Sequence, residues 1–147
     1  MLADPQGSGL YNKVKYGVMF SPTEAEGTRR RHQVDSIVEG IGITRLTHNF
    51  QQGMRLVDDA VKVSDEQAKA MARFLVAKEG LFVGASSAVN CVAACAVARI
   101  LRREGKSGKR IVTVLCDSGT RHLSRFWKEA GEVGEEILGV DEILDMK

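Results

Sequence analysis

Three short turns hold the side chains best suited to chemistry: Gly40-Ile41-Gly42, Gly84-Ala85-Ser86-Ser87 and Cys116-Asp117-Ser118-Gly119. Each has small residues that let a ligand approach backbone N–H groups. The last two also open helix-like stretches, whose N-termini favour anions. The third turn is the most informative. Ile111 to Leu115 is an apolar and β-branched run that stops at a polar turn. Such a run reads as a buried strand, with the Ser118 hydroxyl at its carboxyl end, the ligand side of an open α/β sheet. A purely structural role is open as well, because Gly and Ser are common wherever a strand turns sharply into a helix, and Ser87 or Ser118 could be plain N-caps.

Other constellations are weaker. Gly84-Ala85-Ser86-Ser87-Ala88 follows a short apolar run and opens a helix, as the nucleophile elbow of a Ser-dependent α/β hydrolase does, and Asp117 and His122 follow in the order serine, acid, histidine. The fifth position is Ala rather than Gly, however. An acid and base five residues apart would struggle to flank one imidazole and still reach Ser86. His122 is read as a packing or hydrogen-bonding residue in a first helical turn, with general acid–base work as the other reading. His32 and His48 carry no motif. Lys13, Lys15 and Lys62 lack the surroundings of a Schiff-base lysine. Cys91 and Cys95 sit four apart on a helix-like stretch, but no Cys/His set completes a metal site, so they read as small buried residues.

The elements that must position these turns follow from pattern. Met1-Leu2-Ala3 reads as the stub of a strand before the turn cluster Asp4 to Gly9, so the chain is expected to be truncated. Ile37-Val38 leads into the Gly40-Ile41-Gly42 turn, and Val57 to Val63 forms another strand. Ser64 and Gln67 make a capping box for an amphipathic helix carrying Ala68, Met71, Ala72, Leu75 and Val76, ending near Gly80. Leu81 to Val83 is a short buried strand, Ala88 to Arg103 a second helix, Ile111 to Leu115 the strongest strand and Leu123 to Glu129 a further helix. Residues 1–131 read as one unit, and residues 132–147 as an acidic tail. Alternating strands and helices imply parallel strands with helical crossovers, hence the α/β class.

Composition sets bounds. The chain has 147 residues, 44% hydrophobic and 27% charged, enough for one globular domain. A net charge of +2 does not point to nucleic acid as a main partner. Arg29-Arg30-Arg31-His32 is the one dense basic run and reads as a solvated face, or else as an anion contact. Three cysteines suit a reducing compartment, cytoplasmic or mitochondrial. The longest apolar stretch, Ala88 to Leu101, is broken by Asn90 and Arg99 and falls short of the roughly 20 residues that span a membrane.

Taken together, the motifs resemble the C-terminal portion of the pyridoxal-phosphate (PLP) dependent cysteine synthases, in the tryptophan synthase β-like family. Val38-Glu39-Gly40-Ile41-Gly42 resembles the family's glycine turn beside the substrate. Glu79 to Ala88 resembles its Glu-Gly-(apolar)-Gly-x-Ser-Ser-Gly-Ala segment, and Asp117 to Ser124 its Asp-Ser-Gly-x-Arg-Tyr-Leu-Ser stretch. Leu2-Ala3-Asp4-Pro5-Gln6-Gly7-Ser8 is similar to the branch seen in fungi. The resemblance implies a partial open parallel sheet with helices on both faces. It implies that Ser118 hydrogen-bonds the pyridine nitrogen of PLP and that Gly40 and Gly42 lie beside an amino-acid substrate. The reaction implied is β-replacement on O-acetylserine or a similar donor with sulfide.

The departures are equally specific. The family's Schiff-base lysine, the asparagine beside the cofactor hydroxyl, the substrate-carboxylate loop and the Gly/Thr-rich phosphate loop have no counterpart in these residues, and Cys116 stands where many members have proline. One hydrogen bond from Ser118 contributes only about 0.5–1.5 kcal/mol. The chain alone is therefore expected neither to retain PLP nor to turn over O-acetylserine. The alternative is a non-catalytic protein that associates with a full-length relative or with itself.

Overall fold

The computed structural model describes residues 1–21, 24–25, 36–131 and 136–146. The Arg29 to His32 run lies outside them. Strand β1 (Leu2–Pro5) leads to helix α1 (Leu10–Tyr16) and a minimal antiparallel pair, β2 (Phe20–Ser21) and β3 (Glu24–Ala25). Helix α2 (His48–Gly53), strand β4 (Ala60–Val63), α3 (Asp65–Glu79) and α4 (Ala85–Arg103) follow. A 3-10 turn over Gly119–His122 precedes α5 (Phe126–Gly131) and α6 (Val140–Asp145).

β1 and β4 pair in parallel, Leu2 opposite Ala60 and Pro5 opposite Val63, with α1 and α4 packed against both strands. The fold is α/β. Its core is the seam between α3 and α4, where Ala68, Met71, Ala72 and Leu75 meet Ala85, Ala88, Val89 and Val92 over Val63. Phe126 and Ile143 close the seam from α5 and α6. The small residues on the facing sides of α3 and α4 let the helices approach closely, as dense core packing requires.

Local signals act as read. Ser64 Oγ accepts from the Gln67 N–H at 3.2 Å, and Gln67 Oε1 accepts from the Ser64 N–H at 3.0 Å. Gly80 ends α3 at φ +68°, a left-handed conformation that favours glycine. Gln67 also donates Nε2–H to the Ile143 carbonyl at 3.1 Å, which ties the last helix to the α3 N-terminus.

Several expected strands are not strands. Ile37 and Val38 are buried but join no ladder, because their N–H groups donate to side chains: Ile37 to Asp65 Oδ2 at 2.9 Å and Val38 to Ser36 Oγ at 3.0 Å. The expected strand from Val57 narrows to Ala60–Val63, since Met54–Leu56 forms a 3-10 turn and Asp59 Oδ1 accepts from the Ala60 N–H. Leu81 to Val83 contributes a single antiparallel bridge, Val83 with Ser118. Ile111 to Leu115 pairs with no strand among the described residues, and Val112 and Val114 are 83% and 64% exposed. A strand is stable only with a neighbour to take its N–H and C=O groups, and this segment has none alongside it among the described residues.

The helices differ too. α4 starts at Ala85 rather than Ala88, because Gly84 is already the N-cap. Helix α5 starts at Phe126, after the Gly119–His122 turn and not at Leu123. α1 and α2, six or seven residues each, were too short to show periodicity. α4 is long and apolar enough to cross a membrane by length and composition. Its N-terminal half is buried against α3 and the strands as a core helix.

Candidate active site

The three turns converge. The Gly40 turn is anchored at both ends. Ser8 Oγ accepts from the Ile43 N–H and donates to the Ile43 carbonyl, each at 3.1 Å, and the Gly9 N–H donates to the same carbonyl. At the other end, Asp65 accepts from the Ile37 N–H at 2.9 Å and the Ser36 hydroxyl at 2.7 Å. Between these clamps Gly40 and Gly42 both sit at φ +87°, where a side chain would be strained.

The other two turns are stitched to each other. The Gly84 N–H donates to the Asp117 carbonyl at 3.0 Å, the Cys116 N–H to Ser87 Oγ at 2.9 Å and the Gly119 N–H to the Phe82 carbonyl at 3.1 Å. Trp127 Nε1–H donates to the Val83 carbonyl at 3.0 Å and its ring packs tilted against Phe82, centroids 4.6 Å apart and planes at 40°. A Cβ on Gly84 would press on Asp117 Oδ1 and stand 2.7 Å from the His122 ring, and one on Gly119 would stand 2.5 Å from Trp127 Nε1, so either would force the neighbouring side chains to shift.

A cleft of about 430 Å³ opens where the turns meet, lined by Glu39, Gly40, Ile41, Ser86, Cys116, Asp117, Arg121 and His122. Gly40 thus shares a cleft with Cys116 and Asp117, whereas Gly42 and Ser118 do not line it. Ser118 caps the Gly119–His122 turn. Its Oγ accepts from the Thr120 N–H at 3.3 Å and from the Thr120 hydroxyl at 3.1 Å. With two donors on its lone pairs, the exposed hydroxyl has its own proton left to donate. It is complementary to an acceptor such as an unprotonated ring nitrogen.

Asp117 and His122 do meet, with His122 Nε2 2.8 Å from Asp117 Oδ2. A carboxylate only accepts, so Nε2 carries the proton. Ser86 shares the cleft, but His122 Nδ1, the ring nitrogen left for a serine, has no hydrogen-bond partner among the described residues. A serine–histidine–acid relay is not assembled. Sequence spacing gave no sign of Glu39, Arg121 and the clamping Asp65 and Ser8, because their roles depend on segments distant in the chain. The lysines lie elsewhere: Lys13 on the Gly17 carbonyl, Lys15 on Asp59 and Lys62 over the Tyr11 ring. None of the described residues lining the cleft is a lysine. Burial pushes the thiols of Cys91 and Cys95 up, which suits packing residues.

The profile of a family described as pyridoxal-phosphate dependent enzyme matches residues 4–117, through the Gly40 and Gly84 turns and into the third turn as far as Asp117, short of Ser118. The chain belongs to that family. Among its relatives, cysteine synthase 2 of Neurospora crassa is 62% identical over 136 residues, covering 92% of this chain and 29% of the relative. Cysteine synthase 2 of Emericella nidulans is 61% identical over 148 residues, covering 100% of this chain and 34% of the relative. Cysteine synthase 2 of Schizosaccharomyces pombe is 61% identical, covering 87% and 31%. The chain spans about a third of the length of the curated relatives it matches.

If PLP were bound, the free hydroxyl proton of Ser118 would be the group here able to meet its pyridine nitrogen. The small residues Gly84 and Gly119 leave the turn that carries Ser118 compact.

Proposed function

We propose that this chain forms the wall of a cysteine synthase-type active site that meets the pyridine nitrogen of PLP. The observation that carries the reading is Ser118, whose lone pairs are engaged by Thr120 and whose hydroxyl proton is free to donate. When bound, PLP supplies an electron sink for loss of the β-substituent of a serine derivative and addition of sulfide. A neutral hydroxyl partner does not hold the ring nitrogen protonated, which keeps that sink mild. Gly40 and Gly42 let the backbone of the 39–42 turn approach the amino-acid substrate, O-acetylserine or a similar donor. Asp117, held by His122 and packed against Gly84, keeps the Ser118 turn in place.

The covalent lysine and the phosphate anchor have to come from polypeptide outside these residues. The chain alone retains no PLP through dialysis and does not turn over O-acetylserine. The test is complementation with the remaining N-terminal segment of the Emericella nidulans relative. Mixing the two is expected to yield the absorbance of lysine-linked PLP and sulfide-dependent cysteine formation, and Ser118→Ala to shift that absorbance and lower the rate. A chain that keeps a PLP band by itself would refute the dependence on a second polypeptide. An unchanged spectrum in Ser118→Ala would remove the role of Ser118.

A second reading, non-catalytic association with a full-length relative or with itself, is favoured by one observation: the exposed Ile111 to Leu115 segment. It predicts complex formation without any recovery of cysteine synthesis.

A further inference from the structure

The C-terminal end of α4 opens into surface that lies away from the cleft. Residues 102–116 are exposed almost throughout, and Arg102 to Arg110 without a break. That stretch holds five cations and a single acid, Glu104. Part of this charge serves the fold. Arg102 and Arg103 sit in the last turn of α4, where cations complement the helix dipole, and Lys106 pairs with Glu104 at 2.7 Å. Lys109 and Arg110 lie beyond that turn, outside the reach of the dipole, and neither has an acidic partner among the described residues. Asp141 and Asp145 share a separate cleft with Arg102 and Arg103, and Asp145 is already held by Arg99 at 2.6 Å. Gly105 and Gly108 take left-handed φ values of +68° and +67°. The loop they shape brings Arg102, Lys106 and Lys109 to one groove of about 310 Å³, which Ala98, Leu101 and Ile111 also line. The chain leaves the groove through Ile111 and Val112, 38% and 83% exposed.

We propose that this surface docks on an anionic phospholipid membrane, with a lipid phosphate in the groove among Arg102, Lys106 and Lys109, and with Ile111 and Val112 entering the boundary between headgroups and acyl chains. Three partner classes carry the negative charge that the cations need. A nucleic acid offers nothing to the exposed side chains of Ile111 and Val112. An acidic peptide seated in the groove leaves Val112, which does not line it, facing water. An anionic bilayer has phosphates at its surface and hydrocarbon just beneath, which matches a cationic rim beside projecting apolar side chains. The attraction of the cations is screened by salt, while burial of the two apolar side chains is not, so binding has a salt-sensitive and a salt-resistant part. About 24 Å of helix separates Arg102 from Ser86, so a chain docked in this way keeps its cleft clear of the membrane. The proposal is independent of what the cleft binds.

The test is flotation of the whole 147-residue chain with vesicles on a density gradient, where aggregated protein stays at the bottom. Vesicles of equal parts phosphatidylserine and phosphatidylcholine are compared with phosphatidylcholine alone. The chain is expected to float with the first and not with the second, and less of it as salt is added. The double change Lys109→Gln and Arg110→Gln, at exposed positions, is expected to weaken partitioning about thirtyfold, about fivefold for each cation. Arg29→Gln with Arg30→Gln removes the same charge from the other basic run and is expected to leave partitioning unchanged. Val112→Ser, which keeps every charge, is expected to weaken it severalfold. No flotation with the anionic vesicles, or an equal loss in the Arg29 and Arg30 variant, would overturn the proposal. Labelled poly-L-glutamate bound as tightly as the vesicles, with Val112→Ser without effect on either, would assign the loop to acidic polypeptides and overturn it as well.

Discussion

Asp4 places a carboxylate that is 1% exposed at the end of β1, where its Oδ2 accepts from the Tyr11 N–H at 2.7 Å. Desolvation raises its pKa above 3.8. Hydrogen bonds from Ser8 and from the Tyr11 N–H, and the charge of Lys62, pull it partly back. The folded state thus takes up this proton at a higher pH than the unfolded chain. The group's contribution to stability rises as pH falls through its folded pKa and levels off near 3.8. Above that window the buried charge is a cost. Asp4→Asn keeps an acceptor for Tyr11 and removes the titration, so the stability of the native chain relative to the variant is expected to climb as pH is lowered through the window. Urea unfolding of both chains at a series of pH values measures it, and a flat difference would show that Asp4 is solvated as in the unfolded state. The sequence marked Asp4 only as part of a turn cluster. Its burial depends on α1 and β4 closing over it.

At the scale of elements, the site is a junction between the first turn of α4 and the segment that ends in Ser118. Gly84 makes that junction possible. Its φ of −78° suits any residue, so glycine is required there by space and not by backbone conformation. An alanine methyl would press on Asp117 Oδ1 and the His122 ring, and overpacking of this kind costs about 1–3 kcal/mol. Gly84→Ala is expected to lower stability by about 2 kcal/mol and to break the Asp117–His122 hydrogen bond. Urea midpoints give the first quantity, and the solvent exchange of the His122 ring N–H gives the second. A Gly84→Ala chain with native stability and a protected ring proton would mean that the turn moves aside at no cost. The motif around Gly84 was readable in the sequence because it is contiguous. The meeting of Asp117 with His122 was not: it takes a 3-10 turn, rather than the expected helix start, to fold five residues back so that the two side chains touch.

For the whole molecule, the dominant feature is an α/β core whose parallel sheet is two strands wide among the described residues, with the β-branched run from Ile111 to Leu115 unpaired by any strand and largely exposed. Exposed Val112 and Val114, on a segment with no strand partner among the described residues, invite association with another chain. Sedimentation velocity is expected to show self-association of the isolated chain, shifted toward monomer by the double change Val112→Lys and Val114→Lys. A monodisperse native monomer would count against this. Here the division between the one-dimensional and three-dimensional information is clear. Caps, turns and helical stripes, such as Ser64 with Gln67, Gly80, and the face from Ala68 to Leu75, involve residues at most a few positions apart, so the order of amino acids alone specifies them. The α/β class follows from the same local signals. Whether an apolar run becomes a strand depends on a neighbour to pair with it. Ala60–Val63 found β1, while Ile37-Val38 and Ile111 to Leu115, equally apolar, had their backbone groups taken by side chains or left beside no partner among the described residues. The cleft belongs to that second kind of information. Glu39, Ser86 and His122 come together only because Asp65 and Ser8 clamp one turn while Gly84 makes room for another, and contacts across such distances in the chain exist only once the core has formed.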